Sequence, residues 1–143
     1  MKRFVCLTLA LVLLWLCGCG ERLPAGDLSR PVTAEYAESG AIADHTAVWE
    51  ESEYTCYVLL TAADNMRNVR LAMLDFTDTM DYTLGTVFFE AAEMQIGETL
   101  LAGVVYYGDM TTYGISFTDS SGAERSYAFF MSGKDGSLIL LEY

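Results

Sequence analysis

The chain holds one histidine, His45, so any Ser-His-acid or Cys-His nucleophile arrangement must pass through it. It stands in Ala43-Asp44-His45-Thr46, just ahead of the first β-prone run, and no Gly-x-Ser-x-Gly elbow accompanies it. A surface histidine without a catalytic role is the better reading. Zinc would have that imidazole plus carboxylates, with no second imidazole and no cysteine thiolate to spare, which is a poor donor set. Asp75, Asp78 and Asp81 put three carboxylates in one loop. Their spacing of three departs from the alternate-residue pattern of a calcium loop, and the glycine is missing. They read as a solvated acidic turn, and no metal or cofactor is implied.

Two further constellations remain. Paired carboxylates could serve glycoside hydrolysis, but a hydrolase cleft needs loops that reach over a substrate, and most connections here are short. A non-enzymatic role follows. Trp49, Tyr54, Tyr57, Tyr106, Tyr107, Tyr113 and Tyr127 could instead form a flat platform for sugar rings, with Trp49, Tyr106, Tyr107 and Tyr113 as the ligand contacts. Aromatics at strand spacing more often make core and cross-strand pairs, so three coplanar exposed rings would be needed to establish a platform. Arg67 and Arg70 flank Asn68-Val69. In so acidic a chain they are expected to pair with neighbouring acids, the other reading being a contact for a small anion or a partner.

The N-terminus says where such a module would live. Met1-Lys2-Arg3 is followed by an apolar run over residues 4–16 and then by Leu16-Cys17-Gly18-Cys19, the layout of a secretory signal peptide. Thirteen apolar residues fall short of the roughly 20 that span a bilayer. The leader resembles that of a bacterial lipoprotein. In that family a Leu stands three places before an obligatory Cys, with a small residue just ahead of it; Leu16, Gly18 and Cys19 match, while Cys17 falls where Ser, Ala or Thr is commoner. The resemblance implies a diacylglyceryl group on Cys19 and cleavage in front of it. Two acyl chains suffice for stable anchoring where one does not. The expected organisation is a signal peptide over residues 1–18, a flexible tether over 19–31, which holds both prolines, and a domain over 32–143.

Cleavage would leave 125 of the 143 residues and remove Lys2 and Arg3 but no acid, taking the net charge from −12 to −14. Such a surface repels nucleic-acid phosphates and anionic headgroups. The partners expected are the membrane, through the lipid on Cys19, and a protein or glycan. Cys6 and Cys17 would leave with the leader, so Cys56 would be a lone, buried structural thiol.

From there the sequence is a series of β-branched and aromatic runs separated by turn signals. Strands are expected at 46–50, 54–62, 69–76, 82–91, 99–107, 113–118, 125–131 and 137–143. Residues 32–43 fit either a helical turn or an irregular lead-in. Residues 113–118 alternate strictly, which places Tyr113, Ile115 and Phe117 on the core side and Gly114, Ser116 and Thr118 towards water. Residues 100–105 are apolar on both parities and suit a central strand. Asp119-Ser120-Ser121-Gly122 and Gly133-Lys134-Asp135-Gly136 are hairpin turns that join the last three strands into an antiparallel meander. The last strand, apolar on both parities, is expected to be buried. Eight short strands with no long amphipathic helix predict an all-β, antiparallel, immunoglobulin-like β-sandwich of about 7–8 strands. The function expected is a lipid-anchored extracytoplasmic binding or accessory module, with a carbohydrate-binding module as the alternative.

Overall fold

The computed structural model describes residues 29–79, 81–106 and 112–143. The expected signal peptide, Cys19, most of the expected tether and Tyr107 lie outside the described residues. All regular structure among the described residues is β: β1 (Val32–Ala37), β2 (His45–Val48), β3 (Thr55–Ala62), β4 (Met66–Phe76), β5 (Tyr82–Met94), β6 (Thr99–Val105), β7 (Tyr113–Thr118), β8 (Glu124–Met131) and β9 (Leu138–Glu142). They form a four-stranded sheet, β1-β3-β6-β2, and a five-stranded sheet, β5-β4-β7-β8-β9. The chain changes sheets after β3, β5 and β6, so β3 pairs with β6 in one layer and β4 with β7 in the other. Immunoglobulin-type sandwiches interlock their two sheets in the same way.

The core between the layers is built by alternation. Val58 and Leu60 of β3, Leu100, Ala102 and Val104 of β6, Ile115 and Phe117 of β7, and Tyr127 and Phe129 of β8 point inward and are buried. Each Val, Leu or Ile among them contributes about 1.5–3 kcal/mol by leaving water. The expected hairpin turns hold: Gly122 and Gly136 take φ of 87° and 71°, which a residue with a Cβ rarely adopts. Strand β6 is central and buried on both faces, with Val48 and Tyr57 closing over Gly103.

Several expectations are corrected by long-range pairing. There are nine strands, because β1 is a strand, held by six residue pairs with β3; Val32 and Ala34 alternate inward for too few residues to declare the pattern alone. The sandwich is not wholly antiparallel, since β2 enters the far edge of its sheet parallel to β6. Strand β4 begins at Met66 rather than Val69. Asn68, at φ 52°, forms a bulge opposite β7 that places Met66 and Val69, three residues apart, in the core. A second irregularity, between β4 and β5, lets the consecutive Phe88 and Phe89 both pack on the core. The outer side of β7 does not meet open water: Gly114 and Ser116 are buried too, and Leu74 lies over Gly114. Strand β9 pairs with β8 as expected but at the sheet edge, and only Leu140 of it is fully buried. Its free edge is partly covered, as Arg30 donates to the Leu140 carbonyl and Tyr36 Oη to that of Gly136 (2.9 Å).

Candidate functional site

The Asn68 bulge shapes the outer face of the five-stranded sheet. By inserting a residue into β4 against β7 it interrupts the flat row of side chains, and a trough of about 550 Å³ opens across β5, β4, β7 and β8. Register puts one side chain from each strand in line: Glu90 opposite Arg70, Arg70 opposite Ser116, and Ser116 opposite Ser126. All four line the trough, as do Asn68 and Glu124. Tyr143 stands beside this row, its N–H donating to the Ser126 carbonyl at 3.1 Å. Its phenol pKa is raised by burial, against the smaller opposing effects of Ser126 and the Arg70 charge.

Two features separate this trough from ordinary sheet surface. Ser116 is only 7% exposed, and its Oγ has no hydrogen-bond partner among the described residues. A buried hydroxyl without a partner costs free energy. Arg70 is exposed and forms no ion pair with any described acid; the ion pairs found there both belong to Arg125. Arg67 is likewise without an ion pair, although Glu93 faces it across the strands. The expectation that these two arginines are paired is therefore corrected.

The turn that follows β7 is held by a fully paired network. The Asp119 carboxylate accepts from Ser121 N–H (3.0 Å), Ser121 Oγ (2.6 Å), Ala123 N–H (2.9 Å) and Arg125 Nε–H (3.0 Å). The Ser121 hydroxyl and then Arg125 hold its pKa down at about 2. Arg125 also donates to Glu142 at 2.9 Å. Its guanidinium is thus committed, and Arg70 remains the free cation among the described residues of the trough.

The aromatic candidates are placed elsewhere. Tyr113 is fully buried between the sheets; its hydroxyl donates to Val105 O at 2.7 Å and accepts from Val105 N–H at 3.3 Å. Phe88 and Tyr106 meet the Tyr113 ring edge-on at 84° and 78°, and Trp49 in turn meets Phe88 at 63°. Tyr127 stacks on Phe117 inside the core, while Tyr54 is 73% exposed and Tyr57 half-buried. Edge-to-face packing is the preferred core geometry of aromatic rings, and it is not a coplanar exposed platform. Tyr106 Oη has no partner among the described residues, and burial raises its pKa strongly.

His45 is not a surface side chain as expected: its ring packs on Phe89 at 5.7 Å, and Nε2 is buried without a described partner. It sits at the β2 edge and does not line the trough. Cys56 is a free, half-buried thiol whose pKa burial raises. Asp81 accepts from Thr79 Oγ1 at 3.0 Å, and no three acids, histidines or cysteines among the described residues come together as a metal site. No helix among the described residues is long and apolar enough to cross a membrane. No family model, curated protein or solved structure matches the chain.

The trough was only half visible in sequence. The sequence offers Arg70 as a contact for a small anion or a partner, and it gives no sign of the Asn68 bulge. Ser116 carries no sequence signal at all.

Proposed function

We propose that the chain is a lipid-anchored, extracytoplasmic, non-enzymatic binding module, and that the trough on its five-stranded sheet is the contact face. The observation that carries the binding role is the pairing of a free Arg70 with a buried, unpartnered Ser116 hydroxyl in one polar concavity. Its volume falls in the range of small-ligand sites, about 300–1,000 Å³. The imidazole is outside it, so no Ser-His pairing is available there. The anchor rests on the lipoprotein leader and on Cys19.

Two measurements test the two halves. Mass spectrometry of the mature N-terminus should find an acylated Cys19, and Cys19→Ala should release the protein from membranes or leave it unprocessed; an unmodified Cys19 inside a retained leader refutes the anchor. For the contact face, intact membranes and a glycan array are probed with the full chain and with its Arg70→Gln variant. Retention that depends on Arg70 supports the trough. Equal retention by both variants, or by neither, refutes it.

A further inference from the structure

The charges lining the trough narrow what it can hold. Arg70 supplies one free positive charge. Glu90 stands directly across from it on β5, and Glu124 lines the β8 side. A polyanion would gain one guanidinium and face two carboxylates in a chain of net charge −12, so phosphate esters and acidic polymers are disfavoured. A simple cation would find the acids but would leave both Arg70 and the Ser116 hydroxyl unsatisfied. A neutral sugar would use the hydroxyls and leave the guanidinium without a partner. A ligand carrying one carboxylate and one ammonium satisfies all of these groups together.

We propose that the trough binds a small zwitterion of the amino-acid or short-peptide type. Its carboxylate accepts from Arg70 and from the Ser116 hydroxyl, which gains there the partner it lacks, and its ammonium lies against Glu90 or Glu124. Ser126, opposite Ser116, adds a second hydroxyl beside the carboxylate. Charge-assisted bonds of this kind are the stronger class of hydrogen bond. The proposal rests on the trough being the contact face.

The test is isothermal titration calorimetry of the full-length chain in non-ionic detergent, with glycine, triglycine, N-acetyl-triglycine and triglycine amide as probes. Glycine or triglycine is expected to bind, and which of the two binds tighter separates a free amino acid from a peptide. Capping either end should weaken triglycine about tenfold or more, the cost of losing a charged hydrogen bond. Arg70→Gln should weaken it comparably with the melting temperature unchanged, and Glu90→Gln or Glu124→Gln should weaken only probes with a free ammonium. Capped probes that bind as well as triglycine, binding unaffected by Arg70→Gln, or no heat from glycine and triglycine each overturn the zwitterion. If the titrations are silent while membrane retention still depends on Arg70, the ligand class is wrong and the contact face stands. If both fail, the contact face falls with it.

Discussion

Asp119 and Ser116 are three residues apart, at the end of β7 and in its middle, and they are buried to nearly the same degree, 5% and 7% exposed. The molecule treats them in opposite ways. Asp119 closes the β7–β8 turn and accepts four hydrogen bonds. Ser116, on the floor of the trough, has no partner among the described residues. Tyr113, at the other end of β7, lies between them in kind, with one buried hydroxyl bonded to one peptide group. Native proteins pair nearly all their buried polar groups, so the paired cases report how the sandwich is held, while Ser116, like Tyr106 Oη and His45 Nε2, is an exception, and of the three only Ser116 lines the trough.

The comparison is broken most forcefully at Asp119. Asp119→Ala leaves the Ser121 and Ala123 N–H groups without their acceptor and takes one of its two carboxylate partners from Arg125, and thermal melts should show the largest loss of stability of the three positions. The effect should depend on pH. A pKa held at about 2 in the folded state, below the ~3.9 of an unfolded aspartate, gives stability that is fully present above that unfolded value. It is lost as pH falls towards 2. Asp44, Asp64 and Asp135 are lowered in the same direction by hydrogen bonds from Thr99, Ser120 and Ser137, so the wild type itself should lose stability through this window. The gap between wild type and Asp119→Ala should shrink across it; a gap independent of pH would deny the network its role.

A smaller effect is expected at Tyr113. Tyr113→Phe keeps the ring contacts but leaves the Val105 peptide group without its partner, at a cost of about 1–3 kcal/mol in chemical denaturation. The smallest effect, and the one with the opposite sign, belongs to Ser116. Ser116→Ala removes a buried group that bonds to nothing, so it should leave stability unchanged or raise it by roughly 0.5 kcal/mol, while weakening ligand binding in the trough. A clear destabilisation would mean that the hydroxyl already has a structural partner and would erase the contrast with Asp119.

How legible all this was depends on the range of the interaction concerned. Strand identity follows from local patterns, and the strict alternation of Tyr113, Ile115 and Phe117 correctly assigned the inner face of β7. Turn chemistry is local as well, and Asp119 to Gly122 and Asp135-Gly136 declared their hairpins. The inward faces of β3, β6, β7 and β8 together required two sheets with a core between them. So the sequence by itself determined an all-β sandwich and its C-terminal meander.

Tertiary structure decided the rest, because it rests on partners distant in the chain. Residues 32–37 had too little alternation to declare a strand and became one only by pairing with β3. The direction of β2 was set by the sheet edge it joined. The Asn68 bulge has no local signature, because a bulge exists only relative to a neighbouring strand on which to slip, so the strand was expected from Val69 and not from Met66. The Trp49 and Tyr113 rings looked equally available for ligand until packing turned them edge-on into one cluster. Ser116 had the parity of a solvent-facing residue, and alternation says only which way a side chain points. Whether water lies there depends on what Leu74, Arg70 and Ser126 build around it, and those residues reach β7 only when the sheet has closed.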